Sequence, residues 1–117
     1  MPFYEPTTKD LDFVLHDVLK VNELDIPGFD EMDRDFTGAV LEEAGKIARD
    51  VLAPINKVGD EEGCKFADTN VTTPTGFKEA FQEYAQGGWP GMVAKEEVGG
   101  KNIPACEGIV INEMLGY

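Results

Sequence analysis

Asp33 to Gly63, DRDFTGAVLEEAGKIARDVLAPINKVGDEEG, is the stretch on which the fold turns. Its apolar residues stand at Phe36, Val40, Leu41, Ala44, Ile47, Ala48, Val51, Leu52 and Ile55. Spacings of three, four and seven trace one face at the period of 3.6 residues, so the pattern predicts a long amphipathic helix over Asp33–Ile55. The opposite face carries Glu42, Glu43, Lys46, Arg49 and Asp50, with Glu42 four residues ahead of Lys46 in the favourable orientation for a helical ion pair. Asp33 or Asp35 can accept from the orphan amides of the first turn. Pro54 lacks an amide, which predicts a kink or the start of the last turn there. Asp60 to Gly63 then reads as an acidic exit loop. Ile47 and Val51 lie at the middle of the predicted buried face, which needs the rest of the chain to cover it.

Upstream, residues 1–7 look extended, since Pro2 and Pro6 block a helix. Asp10 to Lys20 places Leu11, Val14, Leu15, Val18 and Leu19 on one face of a short amphipathic helix. His16, the single histidine, sits beside that face and reads as a boundary residue rather than a ligand. Pro27-Gly28 marks a turn in the connector 21–32. Residues 1–32 are therefore expected to form an arm laid against a domain of residues 33–117.

Downstream, CKFADTNVTTP reads as a loop in which Asn70-Val71-Thr72 matches a glycosylation acceptor only incidentally. A second amphipathic helix follows Pro74-Thr75-Gly76, with Phe77, Ala80, Phe81, Tyr84 and Ala85 on one face as core. Gly87-Gly88 stops it, because glycine adopts a left-handed cap without steric cost. After a glycine-rich connector, Pro104 opens a final helix whose apolar residues are Ile109, Val110, Met114 and Leu115. Glu113 borders them as a solvated or paired residue. The only strand signal is a short one at Met92–Ala94, so the fold class is all-α, with helices packed around one long central helix.

The chain has 117 residues, enough for one domain that buries about 65% of its unfolded surface. Net charge is −13, which disfavours nucleic acid and anionic membranes as partners, since both require positive charge. No stretch approaches the ~20 apolar residues of a membrane span, and MPFYEPTTKD lacks the features of a signal peptide, so a soluble cytoplasmic protein is expected. Cys64 and Cys106 lack metal-knuckle spacing and read as free thiols.

Asp33-x-Asp35-x-Thr37-Gly38 imitates a calcium loop, but the twelfth position, which should be a bidentate Glu, is Ala44. Gly99-Gly100-Lys101-Asn102 ends like a phosphate loop, yet Lys95 replaces the required earlier glycine and Asn102 the hydroxyl residue. Glu61-Glu62 and Glu96-Glu97 are loop neighbours without burial to shift their acidity. Spacing alone thus assigns no catalytic, cofactor-binding or metal-ligating residue.

The ordered set LEEAGKIARDVLAPINKVGDEEGC, TPTGFKEAFQEYAQGGWPGM, EEVGGKNIP and INEML resembles the N-terminal helical domain of flavin-dependent acyl-CoA dehydrogenases. The corresponding pieces are Pro54 near the end of the long helix, Asp60 to Gly63, Gly88-Trp89, Glu97-Val98-Gly99-Gly100 and Glu113. FVLHDVLKV with DIPGF looks like the N-terminal extension of a subgroup similar to methylthiopropanoyl-CoA dehydrogenase. The resemblance implies α,β-dehydrogenation of an acyl-CoA thioester by a complete enzyme. It also implies FAD as cofactor, electron-transfer flavoprotein as partner, a homo-oligomer, and a role in fatty acid metabolism. Family members continue into a β-domain and a C-terminal helical domain, which hold the catalytic glutamate and most flavin contacts. Carried over residue by residue, the match therefore implies no site residue here: the chain would supply scaffold and part of the substrate-tunnel wall, inactive and flavin-free alone. The other expectation kept from the sequence is a stand-alone acidic helical module that binds a protein partner.

Overall fold

The computed structural model describes residues 4–116, so the expectations for residues 1–3 and Tyr117 lie outside the described residues. The chain is helical without a break from Arg34 to Glu62, as α2 (Arg34–Lys46), a π-helical segment (Ile47–Leu52) and α3 (Ala53–Glu62). Asp33 caps α2, its Oδ1 accepting from the Phe36 amide at 2.8 Å. Lys46 lies 2.8 Å from Glu43 and 4.0 Å from Glu42, so the closer partner is three residues back.

The π-helical segment separates the predicted face from the observed one. Each i→i+5 turn takes in an extra residue and rotates everything beyond it around the helix axis. The segment stands directly ahead of Pro54, whose missing amide and bulky ring cannot complete an ordinary turn. Ahead of the segment and at its start the buried face is Thr37, Leu41, Ala44, Gly45 and Ala48. Phe36 is 42% exposed, and Ile47, Val51, Leu52 and Ile55 are only half-buried. The helix also runs through Asp60, Glu61 and Glu62, where an exit loop was expected, and ends at Gly63 with φ +62°.

Two elements pack on α2. From the N-terminal side comes α1 (Thr8–Phe13), which runs on as a π-helical turn (Val14–Val18). Leu11 and Leu15 face inward, whereas Val14, Val18 and Leu19 are exposed, so the buried face is narrower than the apolar pattern. Again the π register rotates Val18 and Leu19 away. From the C-terminal side comes α5 (Ala105–Gly116). Leu11, Leu15, Val21, Met32, Leu41, Ala44, Val110, Ile111 and Met114 form one core cluster. On α5 the inward residues include Ile111, and Ile109 points out at 68% exposure, the reverse of the sequence assignment. The Tyr4 hydroxyl donates to the Met114 carbonyl at 2.8 Å and ties residue 4 to the end of α5.

α4 (Phe77–Gln86) packs on the π-helical segment of the long helix. Between α3 and α4 the chain forms a hairpin, β1 (Lys65–Ala67) antiparallel to β2 (Asn70–Thr72), with Phe66 opposite Val71. Its turn holds Asp68 and Thr69 at φ +51° and +64°, a mirror-image turn made without glycine, so the usual sequence signal is missing. Met92–Ala94 is not a strand. With this hairpin as the only sheet among the described residues, the fold is all-α as the sequence predicted.

The molecule is a slab of 53 × 36 × 16 Å with a radius of gyration of 16.5 Å, against about 13 Å for a compact domain of this length. Its accessible surface is 8133 Å². A compact monomer of 12.8 kDa exposes roughly 6300 Å². Sixteen ångströms is little more than one helix with its side chains, about 10–12 Å. Large apolar side chains such as Phe66, Phe81 and Ile109 accordingly stay exposed.

Two outcomes are expected. Leu41→Ala, at a side chain only 1% exposed, should cost about 2–5 kcal/mol and Ile47→Ala clearly less, while Glu43→Ala stays within about 0.5 kcal/mol. Urea melts followed by circular dichroism make the comparison, and a Glu43→Ala loss equal to that of Leu41→Ala would refute the face assignment. The isolated chain should also self-associate once salt screens its charge, since apolar patches of several hundred Å² seek a cover. A monomeric sedimentation profile at high concentration and moderate ionic strength would show that the uncovered faces are tolerated.

Candidate functional site

The phase change in the long helix turns its second half toward α4 and the end of α5. These elements enclose a groove of about 670 Å³. Leu52 and Ile55 form one side, Phe77, Phe81 and Tyr84 the other, and Met114 and Leu115 close the end. The aromatic stripe of α4 is thus a groove wall and only in part a core: Ala80 is buried, Phe77 and Tyr84 are half-buried, and Phe81 is 64% exposed. Asn56, Lys57 and Asn112 are the polar side chains that reach the lining besides Tyr4. Lys57 is 3.5 Å from Glu61, one turn along α3. A concave, mostly apolar space of this size with few polar groups has the character of a small-molecule or acyl-chain site.

Glu62 fixes the far end of that wall. Its Oε2 accepts from the Thr75 amide at 2.8 Å and from the Thr75 hydroxyl at 3.0 Å. These bonds hold its carboxyl below the usual range, so the residue that ends the long helix anchors the approach to α4 as a stable anion.

Glu107 carries the most unusual chemistry in the molecule. It lies in the first turn of α5 with 0% exposure, and neither carboxyl oxygen has a hydrogen-bond partner. Burial alone pushes its pKa up to about 7. The sequence reading passed over it. The available signal was its position: Glu107 lies four residues after buried Ile103 and three and four before buried Val110 and Ile111, on the inward stripe of α5. Next to it, burial raises the Cys106 thiol, whose Sγ lies 3.8 Å from Met32 Sδ, while Cys64 is an exposed free thiol.

The other residues weighed from sequence lie apart from the groove. His16 is half-buried with Nε2 2.6 Å from Thr37 Oγ1, and the Thr37 hydroxyl also reaches the Arg34 carbonyl at 3.3 Å. Thr37 is thereby a buried core residue, and Asp33 a helix cap. The connector around Gly99-Gly100 folds back on residues 91–95. Gly100, Lys101 and Asn102 donate their amides to the carbonyls of Lys95, Gly91 and Ala94 at 3.0, 3.2 and 2.8 Å. A Cβ at Gly100 would collide with the Ala94 carbonyl, so glycine is required there by close approach. With its amides used internally, this loop offers no cradle for a phosphate or a flavin pyrophosphate. Among the described residues no group of three or more His, Cys, Asp or Glu side chains gathers to hold a metal, and no helix is long and apolar enough to cross a membrane.

The chain is similar to two enzymes of known name. It is 26% identical over 113 residues, 96% of its length, to 3-methylmercaptopropionyl-CoA dehydrogenase of Ruegeria pomeroyi, and spans 19% of that protein. It is 37% identical over 90 residues, 68% of its length, to butyryl-CoA dehydrogenase of Syntrophomonas wolfei, and spans 14% of that protein. Both names are those of acyl-CoA dehydrogenases, and the similarity supports that family. The chain thus covers less than a fifth of each relative's length. No protein-family model matches it.

The state of Glu107 predicts the pH dependence of folding. Its raised folded-state pKa stabilises the protonated form, so its contribution is full below the ordinary value of 4.5 and is lost as pH rises to about 7. That loss amounts to roughly 3 kcal/mol by linkage. Glu107→Gln should therefore gain on the parent protein by about this amount between pH 4.5 and pH 8 in urea melts. Parallel stability curves for the two proteins would mean that Glu107 stays ionised in the fold.

Proposed function

We propose that this chain is the N-terminal helical part of an FAD-dependent acyl-CoA dehydrogenase, in the subgroup with an N-terminal extension, residues 1–32. The observation that carries the reading is the near end-to-end similarity to an acyl-CoA dehydrogenase about five times its length. The slab shape agrees with it. An excess of roughly 1,900 Å² over the surface of a compact monomer is more than twice the about 800 Å² that one partner buries in a standard protein–protein interface. On this reading residues 33–117 are scaffold, and the groove of Leu52, Ile55, Phe77, Phe81 and Tyr84 is part of the acyl-tunnel wall. Its side chains would hold the acyl chain by apolar contact and keep water from the reacting carbons.

FAD, when bound by the complete enzyme, accepts the hydride removed from the acyl-CoA substrate and passes electrons on to electron-transfer flavoprotein. The Gly99-Gly100 loop has its amides occupied and would offer the flavin no pyrophosphate cradle, and on this reading the flavin contacts lie in the later domains. No catalytic residue is assigned to this chain, and alone it is inactive. The complete protein works as a cytoplasmic homo-oligomer, and its apolar faces are covered by its own later domains.

The reading frame should continue past Tyr117 into a β-rich segment, and the full product should carry flavin absorbance and reduce an artificial electron acceptor when given a saturated acyl-CoA. The 117-residue chain purified alone should carry none. A stop codon after Tyr117, or a full product without acyl-CoA-dependent reduction, would overturn the reading.

A further inference from the structure

We infer that Glu107 is a proton-operated latch: with its carboxyl neutral the first turn of α5 stays in the core, and loss of the proton to solvent frees that turn and loosens the end of the groove. The argument begins with satisfaction. A carboxylic acid without partners is costly to bury, but a carboxylate without partners is far more so, and the chain can lower that cost only by moving the group to water.

Among the described residues no charged side chain is paired with Glu107. On α2 the charged groups Arg34, Asp35, Glu42, Glu43 and Lys46 are all exposed. Arg34 is held by Asp12 and Asp17, and Lys46 by Glu42 and Glu43. In the π-helical segment Arg49 is tied to Asp50 and Glu5. On α1 and its continuation, Lys9, Asp10 and Asp17 are exposed, half-buried Asp12 is paired with Arg34 and half-buried His16 is turned to Thr37. In the segment leading to α2, Lys20, Glu23, Asp25, Asp30, Glu31 and Asp33 are exposed. In the connector ahead of α5, Lys95, Glu96, Glu97 and Lys101 are exposed. Cys106 is the titratable neighbour on the same helix, and the Glu107 carboxylate would oppose its ionisation.

The geometry around α5 supplies a hinge and a readout. The connector enters α5 through Asn102 at φ +54° and Gly99 at φ +87°, two left-handed positions at which the chain turns sharply. The backbone bonds of Asn102 and Ile103 to Ala94 and Met92, at 2.8 and 2.9 Å, keep the hinge attached to the fold while the helix beyond it pivots. At its other end α5 contributes Asn112, Met114 and Leu115 to the groove. A helix transmits displacement along its length, so release at Glu107 reaches the groove wall. The latch does not depend on the enzymatic assignment, because it uses only residues of this chain.

Hydrogen exchange of the 117-residue chain, corrected for the intrinsic effect of pH, tests the latch directly. Amides 107–112 of α5 should lose protection at least tenfold more at pH 8.5 than at pH 5.5, while those of α4 change less than twofold. Nile red, an uncharged apolar dye, should bind the groove more weakly at the higher pH. Glu107→Gln should abolish both changes, and Glu107→Leu provides the same test should the glutamine variant fold poorly. Equal α5 protection at the two pH values, or a pH dependence that survives in either variant, would overturn the latch. Loss of protection with unchanged dye binding would overturn the coupling to the groove.

Discussion

The approach of α5 to the first half of the long helix is the contact on which everything else depends. It is made over small residues. Ala44 and Ala48 are buried on the long helix, and a Cβ placed on Gly45 would touch Met114 and Pro6 at ordinary van der Waals distance. The short side chains let α5 and the chain around Pro6 lie close to the backbone of α2, and the larger residues Leu41, Val110, Ile111 and Met114 fill the space on either side. Leu11, Leu15, Val21 and Met32 then close the remaining open side. A bulky residue at 44 or 48 would push α5 outward and separate Tyr4 from the Met114 carbonyl as well.

The same helix does two jobs because its phase changes midway. Before Ile47 its inward residues belong to the core, and after Leu52 they belong to the groove. An uninterrupted α-helix would carry one stripe from Phe36 to Ile55. The π-helical turns ahead of Pro54 break that stripe, and helices often place such turns at functional sites. The groove thus follows from one proline and the turns that accommodate it.

Periodicity made the helices and the all-α class legible, because amphipathic spacing, Asp33 as cap, and glycine and proline as punctuation are local signals. It did not locate the rotation at Ile47–Leu52, since the sequence over those residues keeps a perfect 3.6 pattern while the backbone does not. Val51 and Ile55 were misplaced for that reason, and Val18 and Leu19 for the same reason in the shorter helix, whereas Phe36 lies ahead of the rotation, at the exposed edge of the first turn. The hairpin was missed because Asp68-Thr69 makes a turn that usually needs glycine. Of the candidate site, the Phe77, Phe81 and Tyr84 stripe was visible but read as core, since a sequence does not show whether a partner layer is present. Glu107 was invisible for a different reason: charged residues are almost never fully buried unpaired, so a glutamate on an apolar stripe is normally assigned to its edge.

Burial, not the surface charge, keeps the acid of Glu107 neutral in a chain with this much uncovered surface. The solvated faces hold almost all of the charge, and a net −13 on a slab 16 Å thick leaves no interior point far from negative surface. A local partner outweighs such a field at Glu62, whose carboxyl the Thr75 bonds hold low, while at Glu107 burial sets the preference for the protonated state. Covering the apolar faces would deepen the burial of α5 and raise that preference further. Salt would act in the opposite direction on the field while leaving desolvation untouched, because screening acts on exposed charge and not on a buried group's loss of water. At Glu107 the carboxyl is sealed from solvent, whereas the surface acids are hydrated and several are already paired with Arg34, Lys46 and Arg49.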